Sequence, residues 1–118
     1  MGLLSRVFGS RPDESSVTHA VGDAVAALTG VSSHSLTYHH QQYGGGSLHG
    51  VVDVADSPTF LAVLRTAVAT LADVLGDDVD RVTFYLSGRT PDGEPVLPGD
   101  LGTSQPPLGR ELRARLAP

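Results

Sequence analysis

Three of the five histidines fall in one thirteen-residue stretch, YHHQQYGGGSLHG, from Tyr38 to Gly50. Imidazoles are the commonest protein ligands for zinc and its neighbours, so a metal site is the first chemistry to weigh. A glycine run that cradles phosphate is the second, and a polar hairpin with a bending tip is the third. Register separates the first from the last. If Gly44, Gly45 and Gly46 form a three-residue tip, Tyr43 faces Ser47, Gln42 faces Leu48, His40 faces Gly50, Tyr38 faces Val52 and Leu36 faces Val54. That pairing sets Leu36, Tyr38, Leu48, Val52 and Val54 on one face, as a half-buried sheet requires. A four-residue tip would instead place Thr37 beside Val52 and Ser35 beside Val54.

The three-residue tip sends His39 and His40 to opposite faces, so they do not share an ion. His39 and His49 become diagonal neighbours on the outer face, roughly 6–8 Å apart at Cβ. Asp53 lies on the same face beyond Val51. The candidate metal ligands are therefore His39, His49 and Asp53. Two imidazoles and a distant carboxylate fall short of the three or four converging ligands of a competent site. The polar hairpin is the better reading, and no cofactor is implied.

The glycine run lacks the lysine and the strand-to-helix setting that a phosphate loop needs. Asp73, Asp77, Asp78 and Asp80 cluster without the alternating spacing of a calcium loop. No serine sits in a G-x-S-x-G elbow. Arg89 precedes a Thr-Pro-Asp-Gly turn and reads as a solvated arginine beside a tight bend.

Composition narrows the classes further. The 118 residues contain no cysteine, which removes disulfides, thiolate metal sites and cysteine nucleophiles together. A formal charge of −5 leaves nothing to neutralise a row of phosphates, so nucleic acid is not an expected partner. All eight basic residues are arginine, the bias of a GC-rich bacterial genome before it is a preference for bidentate contacts. No apolar run approaches the ~20 residues of a membrane span, and a cytoplasmic protein is the expectation.

The elements that must position these residues follow from periodicity. Ser15 or Ser16 reads as the N-cap of a first helix with Val17, Val21, Ala24, Val25 and Leu28 on one side and Gly30 at its end. Val31 to Gln42 and Leu48 to Ala55 alternate as strands. Ser57 reads as the cap of the longest helix, with Pro58 at its first position. Its stripe is Phe60, Leu61, Leu64, Ala67, Val68, Leu71 and Leu75, and Gly76 closes it. Arg81 to Ser87 is a third strand, and Glu94 to Leu97 returns as a short edge strand. Leu108, Leu112 and Leu116 outline a C-terminal helix bearing Arg110, Arg113 and Arg115.

The order α-β-β-α-β-(β)-α predicts an α+β, two-layer sandwich with helices on one face of a small, mainly antiparallel sheet. Three segments are expected: an N-terminal amphipathic peptide and polar linker over 1–16, a core domain over 17–98, and a Pro/Gly-rich segment with a short helix over 99–118. Two surfaces stand out. Between Pro58 and Leu75 the long helix carries charge only at Arg65 and Asp73. A helix so poor in charge is usually covered on more than one side, which makes Ala62, Val63, Thr66, Ala69 and Thr70 interface candidates. Leu3, Leu4, Val7 and Phe8 would line one side of a cationic N-terminal peptide suited to a partner or a membrane surface. These features predict a small non-enzymatic binding or assembly module with a protein partner or a second copy. The alternatives are a weak histidine-based metal protein or enzyme and a peripheral membrane adaptor.

Overall fold

The computed structural model describes residues 12–41 and 45–116. Three helices pack on one face of a four-stranded mixed sheet, in the predicted element order. They are α1 (Glu14–Ala26), β1 (Val31–His40), β2 (Gly46–Val54), α2 (Ser57–Leu75), β3 (Val82–Arg89), β4 (Pro95–Val96) and α3 (Gly109–Leu116). A 3₁₀ turn, Gly76–Arg81, links α2 to β3.

Aspartates cap the first two helices, where the serines were expected. Asp13 accepts the Ser16 N–H at 2.7 Å, and Asp56 accepts the Thr59 N–H at 2.9 Å. A carboxylate both satisfies an orphan N–H and favours the positive end of the helix, so it outcompetes a nearby hydroxyl. Gly76 ends α2 with φ 64° and returns its N–H to the Ala72 carbonyl.

The sheet runs β1-β2-β3-β4. The β1–β2 and β3–β4 pairs are antiparallel, while β2 and β3 are parallel. A nineteen-residue helix between β2 and β3 allows the chain to return to the same end and pair in parallel. Phe60, Leu64, Ala67 and Leu71 of α2 meet Tyr38, Leu48, Val52, Phe84 and Leu86 of the sheet in one buried core. By length and composition Ser57–Arg81 is apolar enough to cross a membrane, but here its apolar stripe lies buried on the sheet.

The hairpin register differs from the predicted one. Tyr38 pairs with Leu48, Leu36 with Gly50, and His40 with Gly46. Gly46 already belongs to β2, and the Gln41 N–H donates to the Gly45 carbonyl at 2.9 Å, so Gly46 is part of the strand and not of its connection. Each predicted pair is displaced by four residues along β2. An even displacement keeps every side chain on its face, and Leu36, Tyr38, Leu48, Val52 and Val54 are all buried.

Both sheet edges are covered over part of their length. The outward N–H groups of Tyr38 and His40 donate to Thr18 Oγ1 at 2.9 Å and to the Glu14 carboxylate at 2.6 Å, both on α1. On the far side the Phe84 N–H donates to the Pro107 carbonyl at 2.9 Å. Such contacts remove free edge groups that would pair with another strand. The chain after residue 98 is thereby built into the domain. Leu112 is fully buried in the core, and a Cβ at Gly109 would stand 1.9 Å from the Val79 carbonyl oxygen. Only glycine lets α3 start that close to the 3₁₀ turn.

Candidate functional site

Two surfaces carry the predicted site residues: the outer face of the sheet and the flank of α2 turned away from it. The outer face presents four rows across β1, β2 and β3: His39–Ser47–Thr83, Thr37–His49–Tyr85, Ser35–Val51–Ser87 and Ser33–Asp53–Arg89. His39 and His49 do meet, with ring centroids 5.9 Å apart. They are diagonal neighbours because His39 pairs with Ser47. They were diagonal in the predicted register too, from the opposite side, so their proximity survives the displacement.

The rest of the metal reading does not hold together. Asp53 stands two rows from His49, and Arg89 Nε donates to it at 2.7 Å while the Ser33 hydroxyl donates to its other oxygen. These hydrogen bonds, the Arg89 one foremost, hold its carboxyl below the usual carboxylate range. The His39 ring lies 3.8 Å from Glu14, whose same oxygen already receives the His40 N–H. His49 stacks on Tyr85 at 4.8 Å and hydrogen-bonds Ser47 at 2.9 Å. Among the described residues no three His, Cys, Asp or Glu side chains converge as ligands. His40 turns to the other face, as predicted. Its Nε2–H donates to the Pro12 carbonyl at 2.7 Å, and its Nδ1 accepts from the Tyr38 hydroxyl at 3.2 Å. That ring is a tie between the hairpin and the start of α1.

The flank of α2 divides the interface candidates. Val63 is fully buried and belongs to the core. Its spacing of three from Phe60 and four from Ala67 places it in the apolar stripe, so it is withdrawn as a contact residue. Ala69 is exposed, and Ala62, Thr66 and Thr70 are half-buried. Beside Ala69 lies a groove of about 730 Å³ between α2, α3 and the 3₁₀ turn. Val68, Ala69, Ala72, Ala114 and Leu116 form its apolar surface, and Arg65, Arg110 and Arg113 stand around it together with Asp77 and Asp80.

The charges of this groove are unevenly satisfied. Arg113 pairs with Asp80 at 2.9 Å and approaches Asp77 at 3.9 Å. Arg65 spends its Nε on the Leu116 carbonyl at 3.2 Å, which ties α3 to α2. Arg110 has no ion-pair partner among the described residues. The groove thus offers apolar surface with a mixed margin, in which Arg65 and Arg110 have no carboxylate partner among the described residues while Arg113 is paired with Asp80.

Of the interface candidates read from the sequence, Ala69 alone lines this groove, and the α3 side was not among them. The signal was the row of arginines at 110, 113 and 115, read only as the polar side of a short helix. Leu3, Leu4, Val7 and Phe8 lie outside the described residues. No protein-family model matches the chain, and no curated protein or solved structure shows significant similarity to it.

Proposed function

We propose that this chain is a non-enzymatic binding module whose working surface is the groove between α2 and α3. The observation that carries this reading is the combination of an apolar floor with two arginines, Arg65 and Arg110, that have no carboxylate partner among the described residues. A groove of this kind suits an amphipathic helix, which lays apolar residues on the floor and a carboxylate at the rim. The small side chains of Ala69, Ala72 and Ala114 support it further, because they let a second backbone come close.

A photo-crosslinking residue placed at position 69, and separately at position 37 on the outer sheet face, tests the reading in expressing cells. Adducts of a defined mass from position 69 and none from position 37 are the expected result. Adducts from position 37 alone would move the working surface to the sheet and overturn the proposal.

A further inference from the structure

We infer that the cavity at the end of the sheet, between the bulged start of β1 and the turn after β3, binds a small carboxylate through the guanidinium fork of Arg89. The cavity measures about 300 Å³. Ser32, Asp53 and Val54 line it from β1 and β2, and Arg89, Thr90 and Pro91 from β3 and its turn. It lies past the last row of the outer face and away from the groove between α2 and α3, so neither site depends on the other.

Each wall of the cavity is fixed before any ligand arrives. The Ser33 hydroxyl donates to one oxygen of Asp53, and the other accepts the Arg89 Nε–H at 2.7 Å. A guanidinium is planar, so a bond at Nε sets the direction of the whole fork. The two terminal nitrogens of Arg89 have no hydrogen-bond partner among the described residues. They form the edge that meets a carboxylate with two parallel N–H···O bonds. On the β1 side a bulge leaves Ser32 without a partner on β2, between the pairs Val31–Val54 and Ser33–Asp53. Bulges re-aim side chains, and the Ser32 hydroxyl makes only a long contact, 3.5 Å, with the Asp53 carbonyl. It can turn and donate to an anion. The third wall is the Thr-Pro-Asp-Gly turn. Its Thr90 N–H donates to the Glu94 carbonyl at 3.0 Å, and its Gly93 N–H to the Thr90 carbonyl at 2.9 Å. An arginine already held and a turn already closed leave little freedom for a ligand to remove.

The surrounding charges choose the anion. Asp53 lines the cavity, while Asp92 and Glu94 belong to the turn, where the Thr90 hydroxyl donates to Asp92. Against a single guanidinium these carboxylates repel a doubly charged phosphate more than a singly charged group. A carboxylate is also planar, as the fork is. Val54 and Pro91 give a short apolar tail something to touch. The volume stands at the lower end of the range for small-molecule sites, roughly 300–1,000 Å³, so the acid is a small one.

An NMR titration of the full-length chain with sodium propionate, at an ionic strength held constant with sodium chloride, tests the site. The amides of Ser32, Thr90 and Gly93 and the Arg89 Nε–H should shift together. They should saturate in the low millimolar range, the affinity of one bidentate pair. Arg89→Lys keeps the charge but loses the fork, and should weaken binding by about tenfold. Ser32→Ala should weaken it by about threefold. That variant leaves the Arg89–Asp53 pair in place and carries the test if Arg89→Lys disturbs the fold.

The absence of a saturating shift overturns the inference. So do shifts that chloride alone reproduces, or that persist at full strength in both variants. Phosphate moving the same amides at lower concentration than propionate would overturn the carboxylate as the ligand class.

Discussion

The outer sheet face and the α2–α3 groove are both open among the described residues, yet they dispose of their polar groups in opposite ways. Across the sheet, polar groups are satisfied sideways by their neighbours. Arg89 and Ser33 share Asp53, Ser47 lies under His49, and His49 stacks on Tyr85. Exposed large side chains occur there singly, with Tyr85 at 49% and Val51 at 40% among hydroxyls. In the groove apolar side chains of α2 and α3 lie side by side, and Arg110 has no ion-pair partner among the described residues. A face that is already complete gains little by meeting a partner, because each polar group would have to be desolvated and re-paired. The incomplete surface is the one with free energy to gain.

The largest effect that sharpens this contrast comes from the support beneath the groove. Leu112 is fully buried and holds α3 against the core. Leu112→Ala should destabilise the domain by about 2–5 kcal/mol, read as a lower urea midpoint. The same variant should lose the adduct formed from position 69 under conditions where it is still folded. On the sheet face Tyr85→Ala removes only a half-exposed ring and its stacking on His49. It should cost about 1 kcal/mol or less and leave that adduct unchanged. Equal costs for the two variants would erase the distinction drawn between the surfaces.

Acid brings out the sheet face instead. Asp53 is held below its ordinary value by Arg89 and Ser33, so its ionised form is preferred in the folded state. The stability it contributes is present above the unfolded value of about 3.9 and is lost as pH falls through the lower folded value. Asp53→Asn should therefore lower the urea midpoint at pH 7 and leave it nearly unchanged near pH 2, giving a shallower acid limb between the two. Asp56, held down in the same direction by the Thr59 hydroxyl and N–H, should act likewise at the start of α2. A variant whose curve merely shifts in parallel would show that Asp53 contributes nothing through its charge.

Much of this molecule was legible in its sequence, and the exceptions share a cause. Alternation in β1 and β2 identified the core residues because burial selects one face. It could not fix the register, because sliding a strand by two residues returns the same faces. Only the chain at the bend decides that, and Gly46 was assigned there although it pairs with His40. Serine was expected to cap α1 and α2, but an aspartate stood within two residues each time and brought charge as well as an acceptor. Parallel pairing of β2 with β3 was missed since periodicity reports faces and not directions. The groove was half legible, because α2 showed its poverty in charge, whereas the approach of α3 depends on Gly109 fitting against Val79. A contact between segments thirty residues apart leaves no local pattern.

The smallest expected effect concerns the histidines. His39 and His49 are near enough to offer two ligands, and a metal there would make the sheet face a binding surface after all. Three competing interactions oppose this. His49 is stacked on Tyr85, its Nε2 is engaged with Ser47, and His39 Nδ1 is drawn toward Glu14. Binding would have to break these contacts for two imidazole bonds, with water filling the remaining positions of a metal that prefers at least three protein ligands. Calorimetry with zinc or nickel should therefore detect no binding at micromolar metal, for the wild type and for His39→Ala and His49→Ala alike. Glu14 is the nearby carboxylate among the described residues, and the His40 N–H holds its oxygen at 2.6 Å. Recruiting it as a third ligand would release that tie between α1 and the edge of β1, so metal binding through it should lower the thermal midpoint rather than raise it. Tight binding accompanied by a rise in the midpoint would reverse the contrast between the two surfaces and make the sheet face the functional one.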